Sequence, residues 1–323
     1  MKFSIRILLA LSLCVFVISC KKKEHSWEVE VSEPQKKVEI IDISKKYYDP
    51  QFPLEEFNKE FPFFQGSVSN KDMEVRRKDS VEVKIYRDAI SKINLSQLQN
   101  DFTQLFVHVQ HYFPEFKTPK VMLYSSALQG VEDPIFYRGD VGMLFVDITA
   151  FMGSKSPYYQ NIDLYLKNSM NPENIIPKAS YILAEEIVPF DRTQQKFIDQ
   201  MMYFGKIMTL QDAFLPKQPD YLKMNYTPEQ LKWAKENEVN IWNFFVEKNL
   251  LFSDDPQLSE RFLAIAPFSK FYTEIDTQSS PQIGIWEAWQ IARKYYQEKP
   301  ETSLEDFLQM SATDIFNQSN YKP

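Results

Sequence analysis

Apolar and polar positions divide this chain of 323 residues into three stretches. The first holds an apolar run, Ile7 to Ile18, behind a basic start at Lys2 and Arg6 and just ahead of Ser19-Cys20. That run is shorter than the ~20 residues a membrane-spanning helix needs. The second, residues 20–45, opens Lys21-Lys22-Lys23-Glu24 and stays polar with little periodicity, so it reads as a solvated tether. The third, residues 46–323, carries regular patterns and reads as one globular domain.

Within that domain Ser96-Gln97-Leu98-Gln99 has the form of a capping box. Leu98, Phe102, Leu105, Phe106, Val109 and Phe113 then share one face, which predicts a helix over 96–113 that stops before Pro114. Thr227-Pro228-Glu229-Gln230 is a second box with Pro at the first helical position, and its helix turns Leu231, Ala234, Ile241 and Phe245 inward. Ile175, Ile176, Ala179, Leu183 and Ile187 predict a helix that ends at Pro189. Gly284, Ala288 and Ala292 form a small-residue stripe that admits a close neighbouring helix, flanked by Trp286, Trp289 and Tyr295. Thr302-Ser303-Leu304-Glu305 predicts a short last helix. Strands are predicted at Val121–Tyr124 and Gly142–Asp147, with a turn-rich segment holding Gly130, Pro134 and Gly139 between them. A small sheet in the first half and helices in the second make an α+β fold, helix-dominated, in a single domain.

The basic start, apolar run and Ser19-Cys20 together have the shape of a bacterial lipoprotein signal. On this reading the signal leaves after Ser19 and the Cys20 thioether carries the lipid. The only other cysteine, Cys14, leaves with the signal, so disulfides, cysteine zinc sites and thiol nucleophiles are excluded from the mature chain. Loss of Lys2 and Arg6 makes the chain two units more acidic than its formal −7. An acidic chain without a basic stripe argues against nucleic-acid binding. Glycine is only 7 of 323 residues, and no G-x-G-x-x-G or P-loop is present. The membrane is therefore reached through the acyl chains on Cys20, which suffice for stable anchoring when more than one is present.

Candidate chemistry is sparse. The three histidines are His25, in the tether, and His108 and His111, three apart on the 96–113 helix. That spacing suits two imidazoles on one metal, but a zinc site needs at least one further ligand, so they read as structural or surface residues. Glu185 and Glu186 are adjacent on a helix and point about 100° apart, which suits solvation and ion pairing better than a catalytic pair. No nucleophile elbow or kinase signature occurs.

Several segments in order resemble the gliding motility lipoprotein GldB family of the Bacteroidetes. They are His111-Tyr112-Phe113-Pro114, Pro119-Lys120-Val121, Gly205-Lys206-Ile207-Met208 with Leu215-Pro216, and Tyr226-Thr227-Pro228-Glu229-Gln230-Leu231-Lys232-Trp233. Ala266-Pro267-Phe268-Ser269-Lys270-Phe271, Gly284-Ile285-Trp286-Glu287-Ala288-Trp289 and the end at Tyr321-Lys322-Pro323 follow. The resemblance implies a cell-envelope lipoprotein, periplasm-facing, needed for gliding over surfaces and in contact with protein components of the gliding or envelope machinery. The family is also similar in pattern to predicted zinc peptidases built on an H-E-x-x-H helix, which implies a zincin-like fold. Placed on the helix at 175–188, that motif becomes Ala184-Glu185-Glu186-Ile187-Val188: apolar residues stand where the zinc ligands would be, and Glu185 where the general base would be. The expectation is a degenerate, non-catalytic scaffold with no metal or other cofactor, acting by protein contacts. Two alternatives stay open: a metallopeptidase using His108, His111 and a distant carboxylate, and an envelope lipoprotein that captures a peptide or glycan, which a surface aromatic cluster beside a cleft would favour.

Overall fold

The computed structural model describes residues 26–323 apart from 32, 33, 35, 189, 192 and 194. Cys20, the apolar run and His25 lie outside the described residues. Four strands, β1 (Ile40–Asp42), β2 (Lys120–Tyr124), β3 (Ile135–Arg138) and β4 (Met143–Asp147), form one sheet in the order β1-β2-β4-β3. β1, β2 and β4 run parallel, with Ile40 opposite Val121 and Val121 opposite Leu144; β3 runs antiparallel, with Ile135 opposite Val146. β2 buries Val121, Met122 and Leu123 in succession because both of its faces are covered, and so it reads as an apolar run rather than an alternation.

Two of these strands fall where patterning predicts none. β3 lies in the turn-rich segment, and β1 lies inside the stretch read as tether. Three residues carry no period of their own, and β1 is a strand because β2 offers it a ladder. The chain ahead of it is held as well. The Val38 N–H donates to Thr103 Oγ1 at 3.1 Å, and the Val38 carbonyl accepts from Gln99 Nε2 at 2.9 Å. Trp27 meets Tyr112 and Tyr296 edge-on, with centroids 6.1 and 4.9 Å apart. The folded body therefore reaches back well before residue 46.

The helices are α1 (Ile43–Tyr47), α2 (Leu54–Glu60), α3 (Asn70–Arg76), α4 (Ser80–Ile90), α5 (Leu95–Tyr112), α6 (Leu164–Lys167) and α7 (Ile175–Ile187). They continue as α8 (Phe197–Phe214), α9 (Asp220–Lys223), α10 (Pro228–Glu247), α11 (Gln257–Phe262), α12 (Ile283–Glu298), α13 (Leu304–Gln309) and α14 (Ala312–Ser319). The box at α10 forms as read: Thr227 Oγ1 accepts the Gln230 N–H and Gln230 Oε1 accepts the Thr227 N–H. The box at Ser96 does not. Asn94, an equally good cap two residues earlier, accepts the Gln97 N–H at 3.1 Å, and Ser96 sits inside the first turn. Ser303 starts α13 as read, but α13 is not the last helix, because Ser311 caps α14 after it.

α8 organises the molecule. It is buried over most of its surface, so its sequence lacks the one-sided period of a surface helix. Ile207, Leu210, Ala213 and Phe214 face the core that contains the sheet, while Phe197, Met201, Met202 and Met208 face a second, all-helical core. Its close neighbour is α12. A Cβ on Gly205 would lie 2.9 Å from the Ala288 carbonyl oxygen, so the small-residue stripe of α12 does receive a helix at close range. At the far end of α8 the buried Asp212 carboxylate accepts from Lys223 Nζ at 2.7 Å, Trp289 Nε1 at 2.8 Å and Arg293 Nε and Nη2 at 2.9 Å. Arg293 also forks onto Asp220 at 2.8 and 2.9 Å and stacks 3.7 Å from the centre of the Trp289 ring. Asp212 and Asp220 thus face Lys223 and Arg293 at the junction of α8, α9 and α12, and the more exposed Lys235 lies 3.9 Å from Asp220.

Candidate functional site

α7 presents one face to a cleft of about 420 Å³. Lys178, Tyr181, Ile182 and Glu185 recur at intervals of three, one and three, and so fall on a single side of the helix. The opposite wall is α8 through Phe204 and Met208, with Met224, Ile265 and Ile285 beside them. The third side is the approach to β3, from Glu132 to Ile135. The helix amphipathicity that puts Ile176, Ala179, Leu183 and Ala184 into the core is what leaves this polar face to the cleft.

The electrostatics of that face follow from burial. The half-buried Lys178 ammonium lies 5.8 Å from the centre of the buried Phe151 ring and forms no salt bridge among the described residues. Loss of water pushes its pKa down to about 8. Burial raises the Glu185 carboxyl above the usual carboxylate value. Burial also raises the Tyr181 hydroxyl, and the charge of Glu185 adds to the effect. All three shifts disfavour a charged group that lacks a partner.

The sequence-predicted positions separate. Ala184 and Val188 are buried, neither lines the cleft, and neither has a donor atom. Glu185 does line it, while its neighbour Glu186 is exposed on another side, so the two carboxylates do not converge. His108 is half-buried on α5, at a cavity of about 700 Å³ shared with Ile175, Ile176 and Phe214. Its Nδ1 is buried without a hydrogen-bond partner, and burial, then His111 and Lys217, lower its pKa. His111 is exposed and meets Tyr112 edge-on at 4.8 Å. Among the described residues no three His, Cys, Asp or Glu come together as a metal would require. Lys178 and Tyr181 escaped sequence reading; the available signal was a polar i, i+3, i+7 series inside an otherwise apolar helix.

A smaller cavity of about 290 Å³ lies on the other side of β3. Phe136 and Phe145 stack there at 4.6 Å with planes 9° apart, and Phe63 and Tyr124 adjoin them.

Residues 24–323 match the family model described as gliding motility protein GldB. The chain belongs to the GldB family. Members of this family are lipoproteins by name, and among the described residues no helix is long and apolar enough to cross a membrane. Searches of curated proteins and of solved structures found no match. The family assignment relates the chain to gliding motility.

Proposed function

We propose that this GldB-family chain is a lipid-anchored envelope protein of the gliding apparatus that works through protein contacts rather than catalysis. The observation that carries the reading is the cleft over α7, where Lys178 and Glu185 form no salt bridge among the described residues and where Ala184 and Val188 offer no donor atoms. Cys20 supplies the anchor, and the body from Trp27 onward is displayed from it. The scaffold retains Glu185 at the general-base position of a zinc-peptidase motif without the ligands that such chemistry needs.

The test is a native pull-down from gently solubilised envelope, with the C-terminus tagged and Cys20→Ser as control. The expected result is a stoichiometric envelope protein that co-purifies only with the lipidated form, together with loss of surface spreading in a Cys20→Ser strain. Tight stoichiometric zinc in the purified protein, with peptide hydrolysis lost on Glu185→Ala, would overturn the non-catalytic role. The aromatic cavity at Phe136 and Phe145 favours glycan capture as a second reading, since stacked ring faces suit sugar rings. Unchanged Trp and Tyr fluorescence during titration with envelope polysaccharide would remove it.

A further inference from the structure

α7 sets an ammonium and a carboxylate in the same cleft, yet the two do not meet. Lys178 and Glu185 are seven residues apart, almost two full turns, so they face one side of the helix about 10 Å apart along its axis. Among the described residues neither forms a hydrogen bond or salt bridge, and the Tyr181 hydroxyl forms no hydrogen bond. Burial has taken part of the water from all three. Lys223, the other cation of the cleft wall, is committed to Asp212 at 2.7 Å. Glu132 and Asp133 on the exposed rim are anions, so among the described lining residues Lys178 is the cation left to receive a carboxylate.

The space between these two charges is apolar. Ile182 lies between them on α7, and Phe204, Met208 and Ile285 form the facing wall. The volume of about 420 Å³ falls within the roughly 300–1,000 Å³ of small-ligand sites. Such a cleft is completed by a ligand with an anion at one end, a cation at the other and an apolar middle, its charges about 10 Å apart. A free tripeptide has that form. Extended, it advances about 3.3 Å per residue, which sets its terminal ammonium and carboxylate about 10 Å apart. A dipeptide falls about 3 Å short of the span, and a pentapeptide overshoots it by about 7 Å.

We propose that the cleft binds a free tripeptide, with its carboxylate on Lys178, its terminal ammonium on Glu185 and an apolar central side chain against Ile182, Met208 and Ile285. The order of the charges fixes the polarity, so the peptide runs antiparallel to α7. Tyr181, one turn from Lys178, offers its hydroxyl to the peptide main chain. A segment inside a longer chain lacks both charged ends, which separates this ligand from a docked loop. The proposal goes beyond the protein-contact role and rests on it in one respect: a cleft without catalytic ligands holds its peptide rather than cutting it.

The probe is the tripeptide Ala-Leu-Ala with both ends free, beside its N-acetyl form, its C-terminal amide, the dipeptide Ala-Leu and the pentapeptide Ala-Ala-Leu-Ala-Ala. Binding to the full chain in detergent is read by isothermal titration calorimetry. The free tripeptide should bind best, and blocking either end should cost about tenfold, the worth of one charge-assisted hydrogen bond. Lys178→Met should lose that tenfold for the free tripeptide and no longer tell it from the amide. Glu185→Gln should no longer tell it from the N-acetyl form. Misfolding would weaken every ligand alike, so this crossed pattern reads the two contacts and not the fold. No binding by any of the peptides at millimolar concentration, or blocked and free forms bound alike, would overturn the proposal. So would a pentapeptide bound as tightly as the tripeptide, or a Lys178→Met chain that still prefers the free carboxylate. Mass spectrometry of the peptide after incubation keeps the two readings apart: cleavage would end the non-catalytic role, and loss of binding ends this one.

Discussion

Asp212→Asn replaces one carboxylate oxygen by NH₂ where four N–H donors converge. Lys223 Nζ and Arg293 Nη2 bond Oδ1, and Trp289 Nε1 and Arg293 Nε bond Oδ2. Whichever oxygen is replaced, two donors then face a donor. The charge balance breaks as well: Asp212 and Asp220 answer Lys223 and Arg293, and the variant leaves one cation uncompensated beside a side chain that was 5% exposed. Breaking a buried pair from one side costs about 3–5 kcal/mol. That is a large part of a total stability of about 5–15 kcal/mol. The assay is urea unfolding of the full chain followed by tryptophan fluorescence, with Trp289 in the network as a reporter. The midpoint should fall with an unchanged slope, and the melting temperature should drop by roughly 5–8 °C. Adding Lys223→Met to Asp212→Asn should recover part of the loss, because it removes the orphaned cation. A loss below about 1 kcal/mol, or a double variant whose effects simply add, would refute the view that this network holds the junction of α8, α9 and α12.

Two further outcomes follow from the same packing. Glu287 is fully buried on α12, and desolvation raises its pKa well above the usual value; the Tyr321 hydroxyl opposes this in part, and the charge of Glu238 adds a smaller push upward. Tyr321 contacts Glu238 at 2.6 Å and Glu287 at 3.0 Å, and one hydroxyl proton serves one carboxylate, so a protonated Glu287 supplies the second. A raised carboxyl pKa gives stability that is complete below the unfolded value of about 4.3 and is lost as pH rises toward the folded value, at about 1.4 kcal/mol per pH unit. Glu287→Gln should therefore match the natural chain near pH 4 and gain on it as the pH rises from there in denaturant titrations; parallel curves would contradict a neutral Glu287. Gly205→Ala should lower stability by about 1 kcal/mol, since overpacking against the Ala288 backbone outweighs the helix propensity of alanine. A raised melting temperature would show that α8 and α12 separate freely.

What the sequence determined by itself is local or compositional. Thr227 and Gln230 cap α10 because the two partners lie within one turn, and Ile175 to Ile187 folds as a helix because its period is written into adjacent turns. The fold class was legible for the same reason, as were the order of family segments and the small-residue stripe of α12. Other features needed the tertiary structure. Three residues at Ile40–Asp42 become a strand only against β2, and α8 hides its period because two cores bury it from both sides. Asn94 outcompeted Ser96 as a cap through a choice of starting turn that both residues permit. The cleft depended on distance most of all. Lys178, Tyr181 and Glu185 share a face by spacing, but only the approach of α8, the 263–265 segment and β3 removes part of their water. Spacing along a chain sets which side a residue faces; what it faces is decided by elements far away in sequence.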